Sequence, residues 1–307
     1  MVPEVSLIIP THNRAAMLPA TVASARSAAP DAEIIVVDDA STDATPEVCR
    51  TLEGIRTIRL AVNGGTAAAR NAGIRASGAE FVAFLDDDDL RLPDSLAPQL
   101  ALLRAHPAAA FVYGRAFIAD ARFSLPTGSV VPDELVSGDV YWRFLERNLA
   151  PAPTVVARRA CILEVGLFDT NLKTMEDYDL WVRLAERYEV LASPQPVALY
   201  RARAEGSAQK TSDRAAHEHA RKQLVDKMLA APRAMAAPRS ARRRARRRHM
   251  RFVYNSLIHD AATAVVQGDV GSARACLAAA VRLHPLHIKA HASLVWLLGR
   301  NLVHKLS

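Results

Sequence analysis

Four consecutive aspartates, Asp86–Asp89, directly follow the apolar run FVAFL of residues 81–85. Neighbouring carboxylates repel one another and raise one another's pKa, so the run is unfavourable unless a cation is bound. Because alternate side chains of an extended segment point the same way, Asp86 and Asp88 can act together. Carboxylate oxygens suit Mg²⁺ or Mn²⁺ that carries a phosphate-bearing substrate. The alternative interpretation is an acidic loop exposed to solvent.

Two more polar clusters follow apolar, strand-like runs. The segment THNR at 11–14 comes after Val5–Ile9, and Asp38-Asp39 comes after Ile34–Val37. In open α/β sheets, ligands bind outside the carboxyl ends of the strands. The three clusters therefore predict one polar site at one edge of a sheet, of the kind that binds an anionic group or a metal ion.

The elements that would position these clusters alternate along the chain. Strands are predicted at Val5–Ile9, Ile34–Val37, Ile55–Leu60, Phe81–Leu85 and Thr154–Ala157. Helices are predicted at about Ala15–Ala28 with Asn13 as its cap, and at Thr45–Leu52, Thr66–Ala76, Ala160–Val165 and Asp177–Arg187. Strands that alternate with helices at this spacing predict a parallel, doubly wound sheet.

The segment NGGTAAARNAG, Asn63–Gly73, has two interpretations. It is either a phosphate cradle at a helix N-terminus, with Arg70 reaching a diphosphate, or an ordinary helix start. It contains neither GxGxxG nor the Gly-Lys-Ser/Thr of a P-loop, so two common nucleotide fingerprints are absent.

Two further carboxylates also have alternative roles. Asp39 either accepts hydrogen bonds from the N–H groups of a base or belongs to a turn, for which Asp-Ala-Ser-Thr-Asp is suitable chemistry. Asp177 opens a helix in which Leu180, Trp181 and Leu184 recur with helical spacing. The pair Thr174 and Asp177 also resembles a capping box, which would make Asp177 a structural residue.

Charge is distributed unevenly over the 307 residues. Residues 1–231 carry 25 Lys+Arg against 30 Asp+Glu, whereas residues 232–307 carry 14 against 2. The basic residues concentrate in Arg239–Arg251, RSARRRARRRHMR. The plain interpretation is a solvated or disordered linker, and the functional ones are binding of anionic lipid or of nucleic acid.

Composition excludes several classes of protein. Half of the residues are hydrophobic and 23% are charged, which excludes global disorder. Three cysteines far apart exclude a zinc knuckle and favour a reducing compartment. No uncharged apolar run reaches the roughly 18–20 residues that span a bilayer, and no signal peptide is visible. We therefore expect a cytoplasmic protein that is at most peripheral on the inner face of the membrane.

Over about residues 3–205, the sequence resembles family 2 glycosyltransferases of the inverting GT-A type. The resemblance is carried, in order and spacing, by SLIIPTHNR, IIVVDDASTD, NGGTAAARNAGIRASGAEFVAFLDDDD, VGLFD and EDYDLWVRL. It implies a Rossmann-like α/β domain at 1–210 with a doubly wound, mixed but mostly parallel sheet, followed by a helical, Arg-rich region at 211–307.

The resemblance also implies an activity. The protein would move a single sugar, of hexosyl type, from a nucleotide-diphosphate-sugar donor to an acceptor hydroxyl with inversion, and it would use Mg²⁺ or Mn²⁺. UDP-sugars are favoured as donors, and the acceptor would be a saccharide or a lipid-linked molecule. Cell-surface polysaccharide or glycolipid synthesis is the expected process.

Site residues follow from the resemblance, position by position. It makes Asp177 the catalytic base, and it makes Asp88 and Asp86 the metal ligands. The residues expected to bind the nucleotide sugar are Pro10, Thr11, Asn13, Arg14, Asp39, Arg70, Asp86 and Asp87.

One position departs from the family. After the last core strand the family often has Tyr-Arg-x-His with the histidine near the metal, whereas this chain has Tyr200-Arg201-Ala202-Arg203. Arg203 cannot ligate a cation but can bind the diphosphate directly. The Gln-x-x-Arg-Trp signature of processive synthases is missing, which favours single addition.

Two other functions remain as alternatives. A nucleotidyltransferase would usually have a basic Gly-rich loop with Lys near the N-terminus, and THNRAAM has neither residue. A nucleic-acid-binding protein would act through the Arg-rich segment, but only Phe252 and Tyr254 flank it as stacking residues. No nucleic-acid partner is therefore expected, and an anionic membrane surface is the expected partner of residues 239–251.

Overall fold

The computed structural model describes residues 2–120, 122–125, 128–201, 214–266 and 268–283, with backbone alone for residues 214–219. The chain divides into two compact units. The first is Met1–Phe144 with Asn148–Ala208, and the second is Leu145–Arg147 with Gln209–Ser307.

The first unit is built on one sheet. Its strands are β1 (Val5–Thr11), β2 (Glu33–Asp38), β3 (Ile55–Arg59), β4 (Phe81–Phe84), β5 (Leu90–Arg91), β6 (Ala109–Ala119), β7 (Val130–Val131), β8 (Val155–Arg158) and β9 (Glu189–Arg201). Its helices are α1 (Leu18–Ala28), α2 (Thr45–Thr51), α3 (Gly65–Ala76), α4 (Leu96–Ala105), α5 (Tyr141–Glu146, whose last two residues belong to the second unit), α6 (Arg159–Glu164) and α7 (Glu176–Arg187).

The strand order is β3-β2-β1-β4-β8-β6-β9-β5, and β7 pairs with β6. Strands β1 to β4 pair in parallel, as do β6 and β9, while β8 runs antiparallel to both of its neighbours. The predicted mixed, mostly parallel α/β sheet is confirmed. Two long strands, β6 and β9, extend it beyond the predicted elements.

Register brings the three polar clusters to one edge. Thr11 pairs with Asp38 at the ends of β1 and β2, and Ile8 pairs with Phe84 at the end of β4. Strand β4 thus ends three positions before the level of Thr11, so the aspartate turn that follows it lies beside the ends of β1 and β2, and Asp87 lies 3.9 Å from Arg14. The common edge that the sequence predicted is confirmed.

The predicted helix cap at Asn13 is wrong. Helix α1 begins at Leu18, its cap position is Met17, and no side chain caps it. Asn13 instead has a positive φ of 55°, and its side-chain oxygen accepts hydrogen bonds from the N–H groups of Thr42 (2.7 Å) and Asp43 (3.2 Å). The turn that follows Asn13 delays the helix, so Asn13 ties the loop after β1 to the loop after β2.

Helix α7 is anchored through an aromatic cluster. Leu180, Trp181 and Leu184 are fully buried, as the sequence predicted. The Trp181 ring centroid lies 5.3 Å from that of Phe111 and 5.9 Å from that of Phe84. Burial of aromatic side chains stabilises a helix strongly, so the first turn of α7 has a rigid support.

The second unit is helical. It contains α8 (Arg214–Leu229), α9 (Pro232–Ala236), α10 (Arg239–Val266) and α11 (Val270–Leu283). The interpretation of Arg239–Arg251 as a disordered linker is wrong, because these residues form the first half of α10. Arginine and alanine are both strong helix formers, which explains the outcome. Within the described ranges, no helix has both the length and the apolarity needed to cross a bilayer.

Gly73 is the point where α3 packs most tightly on the sheet. A Cβ atom at Gly73 would meet Ile8 Cγ2 at 2.6 Å and Cγ1 at 3.2 Å. Because Ile8 is fully buried, we expect Gly73→Ala to lower the free energy of unfolding by about 1–3 kcal/mol in chemical denaturation. Gly78→Ala is the control, since its Cβ would meet Val2 Cγ1 at an ordinary 3.5 Å. Equal stability of the two variants would contradict this packing.

Candidate active site

The turn of four aspartates is fixed from the side of α1. The Thr21 hydroxyl donates hydrogen bonds to the carbonyl oxygens of Asp87 (3.0 Å) and Asp89 (3.2 Å). Asp89 is buried, and its Oδ1 accepts a hydrogen bond from the backbone N–H of Arg201 at 2.8 Å. Asp86, Asp87 and Asp88 are only partly buried. Asp89 therefore holds the turn in place, and the other three carboxylates face the open edge of the sheet.

The aspartates disfavour one another's charge. Burial, reinforced by the charges of Asp88 and Asp86, raises the pKa of Asp87 to about 7, although Arg14 opposes this shift. The Arg14 Nε lies 3.9 Å from Asp87 Oδ1. Burial and the Asp86 charge also raise the pKa of Asp89 well above its ordinary value. The turn is thus short of positive charge at neutral pH.

The oxygen donors of this turn fit a hard divalent cation. Asp86 and Asp88 offer carboxylate oxygens, and a cation would offset the repulsion within the turn. Among the described residues, no group of three or more His, Cys, Asp or Glu side chains could hold a metal ion. Mg²⁺ in phosphate-transfer sites needs only one or two carboxylates, because substrate phosphates and water complete its shell. Arg203, which stands where the family often has a histidine, lies outside the described residues.

Arg70 joins this turn to helix α7. Its guanidinium donates to Asp86 Oδ1 at 2.5 Å and to Glu176 Oε1 at 3.0 Å, and it lies over the Phe168 ring at 5.3 Å. Arg70 is buried. Burial disfavours its charge, but Asp86, Glu176 and Asp177 outweigh burial and raise the pKa of the guanidinium. One buried cation therefore brings the end of β4 and the start of α7 together.

Asp177 is the second residue of α7, and the capping-box interpretation of it is wrong. The cap position is Met175, which has a positive φ of 61° and no side-chain capping bond. Thr174 Oγ1 is buried and has no hydrogen-bond partner in the described structure. The left-handed Met175 separates Thr174 from the first helical turn, so the reciprocal bonds of a capping box do not form.

The carboxylate of Asp177 is held at both oxygens. The backbone N–H of Tyr178 donates to Oδ1 at 2.7 Å, and Asn148 Nδ2 donates to Oδ2 at 3.2 Å. Burial, followed by the charge of Glu176, raises the pKa of Asp177 to about 6, while Arg70 opposes the shift. Asp177 is therefore a positioned carboxylate with a pKa close to neutrality, as a general base requires.

Asp39 caps helix α3. Its two carboxylate oxygens accept hydrogen bonds from the backbone N–H groups of Gly64 and Gly65, each at 2.7 Å. These N–H groups at the helix N-terminus would otherwise bind a phosphate. Asp39 therefore occupies two of the N–H groups that a phosphate cradle at this end of α3 would use, and phosphate binding by Asn63–Gly73 stays a prediction. Contact between Asp39 and a base stays a prediction, since each carboxylate oxygen can accept a second hydrogen bond.

The remaining predicted residues line the end of β1. Pro10 and Thr11 are its last two residues and are buried. Arg14 is partly buried, and its backbone N–H donates to Thr45 Oγ1 at 2.9 Å. Asn13 is exposed. Their contact with a nucleotide sugar stays a prediction, but all of them lie at the edge where Asp39 and the aspartate turn lie.

The sequence did not predict that two further residues of the site position its charged groups. Glu176 was expected only as a substitute base should Asp177 not act, whereas the structure shows that it binds Arg70. Asn148, which bonds Asp177, lies in the loop after α5. An asparagine in a loop has no periodic or spacing signal, so the sequence offers no means of finding it.

The mixed α/β sheet, with its polar edge at the ends of β1, β2 and β4, is that of a GT-A scaffold. The family model described as glycosyl transferase family 2 matches residues 6–161, which is half of the chain. The chain belongs to glycosyl transferase family 2.

Particular relatives support the same class. The chain is 30% identical over 231 residues to the succinoglycan biosynthesis protein ExoU of Rhizobium meliloti, covering 68% of this chain and 66% of the relative. It is 28% identical over 184 residues to an uncharacterized glycosyltransferase of Haemophilus influenzae, covering 59% of this chain and 62% of the relative. The chain thus spans less than two thirds of the length of each of these two relatives.

Solved structures share the fold. S. aureus TarS 1-349 in complex with UDP-GlcNAc superposes with a TM-score of 0.64 at 19% identity, covering 94% of this chain and 83% of TarS. The mannosyltransferase PcManGT from Pyrobaculum calidifontis, in complex with GDP-Man and Mn²⁺, superposes with a TM-score of 0.57 at 19% identity. The superposition covers 98% of this chain and 81% of PcManGT.

The raised pKa of Asp87 makes stability depend on pH. The folded-state pKa lies above the value of about 4 in the unfolded chain, so the folded protein holds its proton more tightly. The Asp87 contribution to stability is present below about pH 4 and is lost as pH rises through about 7.

In metal-free buffer, we expect Asp87→Asn to raise the midpoint of thermal unfolding at pH 8 by at least about 2 °C and to leave it nearly unchanged at pH 4. Asp94→Asn, at an exposed aspartate, should retain the wild-type dependence on pH. An Asp87→Asn curve parallel to wild type over the whole range would refute the assignment.

Proposed function

We propose that this chain transfers a single sugar from a nucleotide-diphosphate-sugar donor, with UDP-sugars favoured, to an acceptor hydroxyl with inversion. Family membership supports this proposal, and so do the UDP-GlcNAc and GDP-Man that the two solved neighbours hold. The name of ExoU, a succinoglycan biosynthesis protein, supports a role in polysaccharide synthesis.

The observation that carries the proposal is the Arg70 bridge. Transfer with inversion needs a donor site and a base on opposite faces of the reacting sugar carbon, held in fixed geometry. Arg70 bonds both Asp86 of the aspartate turn and Glu176, the neighbour of Asp177. The elements proposed to hold the donor and the base are thereby linked through one guanidinium.

In the proposed reaction, the acceptor oxygen attacks the anomeric carbon as the bond from that carbon to the diphosphate oxygen breaks. The carboxylate of Asp177 takes the acceptor proton, and the nucleoside diphosphate leaves with the bonding electron pair. At neutral pH a group of pKa about 6 is mostly ionised and still basic enough to accept this proton. Asn148 and the Tyr178 N–H orient the carboxylate.

A Mg²⁺ or Mn²⁺ ion bound by Asp88 and Asp86 would stabilise the charge on the departing diphosphate as a Lewis acid. The edge formed by Pro10, Thr11, Asn13, Arg14, Asp39 and Asp87 is proposed to hold the nucleotide part of the donor. Arg70 holds Asp86 in place and is therefore a positioning residue. The nucleotide contact expected of Arg70 from the sequence is kept beside this role.

Asp177→Asn tests the base. Asparagine keeps the size of the side chain and an acceptor oxygen for the Tyr178 N–H, although its NH2 group cannot accept the hydrogen bond from Asn148. We therefore expect the melting temperature to stay within a few degrees and donor binding to persist. We expect sugar transfer to fall by at least about a hundredfold, because a positioned base typically contributes 10²–10⁴-fold. Wild-type kcat/KM should fall below about pH 6 as Asp177 takes up a proton.

The control for Asp177→Asn is Asp94→Asn, which should transfer at the wild-type rate. Near wild-type turnover by Asp177→Asn would remove Asp177 from the reaction. The base would then have to be sought at Glu176 or Asp179.

Asp88→Ala tests the metal site. We expect this variant to lose binding of nucleoside diphosphate that depends on Mn²⁺, measured by calorimetry, while its thermal stability stays equal or rises because repulsion is relieved. Donor hydrolysis over a panel of nucleotide sugars should stop in EDTA for the wild type. Full transfer in EDTA would exclude a required cation.

A further inference from the structure

Helix α10 carries its arginines in an ordered arrangement. From Arg239 to His259 the sequence contains no acidic residue. Within this stretch Ala245, His249 and Val253 are buried and recur every fourth residue, so they lie on one face, and the neighbouring Tyr254 is buried as well. Burial lowers the pKa of His249 to about 4, so the buried face is uncharged at neutral pH.

A second row of residues lies on the other side of the helix. Arg243, Arg247 and Arg251 are each two positions before a buried residue, which rotates them by about 200° around the helix axis. Arg239 begins the same row one turn earlier. We call these four residues the arginine ridge. All four are exposed, and over a length of about 18 Å they point away from the buried face.

Other arginines of α10 have partners within the second unit. Arg248 pairs with Glu146 at 2.7 Å and Arg246 pairs with Asp226 at 2.9 Å. The Arg242 guanidinium donates to the Met235 sulfur at 2.8 Å. In the described ranges no carboxylate pairs with a ridge residue. Arg242, Arg246 and Arg248 thus hold the helix to its neighbours, whereas the ridge residues and the exposed Arg244 make no such contact among the described residues.

Like charges spaced four residues apart destabilise a helix, so the ridge lowers stability unless it binds an anion. A straight row of guanidinium groups fits a flat array of phosphates. Nucleic acid is a poorer match, because single strands need exposed aromatic side chains for stacking. Phe252 is exposed, but the Arg147 guanidinium already lies over its ring at 5.7 Å from the centroid, and Tyr254 is buried.

We propose that the arginine ridge docks the second unit on an anionic phospholipid surface. Each arginine near such a surface strengthens binding to it by roughly fivefold, so four arginines together strengthen binding by several hundredfold. If transfer takes place as proposed above, this surface is where a lipid-linked acceptor would present its hydroxyl group. That last step rests on the proposed function, whereas the docking itself does not.

The test is co-sedimentation of the full chain with vesicles. Wild type should bind vesicles of phosphatidylglycerol and phosphatidylcholine in equal parts, should not bind phosphatidylcholine alone, and should be released by salt. Replacing Arg239, Arg243, Arg247 and Arg251 with Gln should weaken binding by at least about a hundredfold. Replacing the ridge with Lys should retain most of the binding.

A matched control removes the same charge elsewhere. Arg26, Arg50, Arg75 and Arg187 are exposed residues of the first unit. Their joint replacement with Gln should change vesicle binding by no more than a few-fold. The proposal is overturned if the ridge variant binds as wild type does, if the control loses as much, or if single-stranded RNA binds more tightly than the vesicles. The lipid and salt dependence of the wild type tests docking without relying on any variant.

Discussion

A buried guanidinium between two carboxylates from distant parts of the chain organises this site. Arg70 comes from α3, Asp86 from the turn after β4, and Glu176 from the first turn of α7. Burying these charges is costly unless they are paired with good geometry, so the three residues stabilise one another only when all the elements are in place. The place of α3 is in turn fixed by Asp39 at its N-terminus and by the contact of Gly73 with Ile8.

The carboxylates around Arg70 outnumber the nearby cations, and this imbalance determines their chemistry. Asp87 and Asp89 bind protons more readily than ordinary aspartates, and Asp177 has a pKa of about 6. A fully neutralised cluster would be more stable but would offer neither a cation site nor a carboxylate basic enough to accept a proton. The charge imbalance thus lowers stability but makes these carboxylates reactive, and perturbed pKa values of this kind are common at functional sites.

Periodic features were predictable from the sequence. Buried parallel strands appear as apolar β-rich runs, and their carboxyl ends carry the polar clusters, so the sheet edge with Asp39 and Asp86 could be located. Trp181 and its neighbours showed helical spacing and proved to anchor α7. Hydrophobic periodicity says nothing about chemical roles, so the expected roles of Asp177, Asp86 and Asp88 came from the resemblance to family 2.

Features that depend on a single tertiary partner were not predictable. Asn13, Asp39 and Thr174 have the composition of caps and turns, but the partners of Asn13 and Asp39 come from other segments, and the left-handed Met175 separates Thr174 from its helix. Asn148 contacts Asp177 across 29 positions of sequence. The Arg-rich run was interpreted as disordered because its many charges leave only a weak apolar periodicity. The buried positions Ala245, His249 and Val253 could therefore not be recognised from the sequence.

A double-mutant cycle on the free energy of unfolding tests the Arg70 bridge most directly. The cycle compares Asp86→Asn, Glu176→Gln and the double variant with wild type. Each single variant leaves Arg70 one carboxylate, whereas the double variant leaves its buried charge without either. The bridge predicts that the double variant loses at least about 1 kcal/mol more than the sum of the single losses. Losses that add to within about 0.5 kcal/mol would show that Arg70 does not couple the aspartate turn to α7.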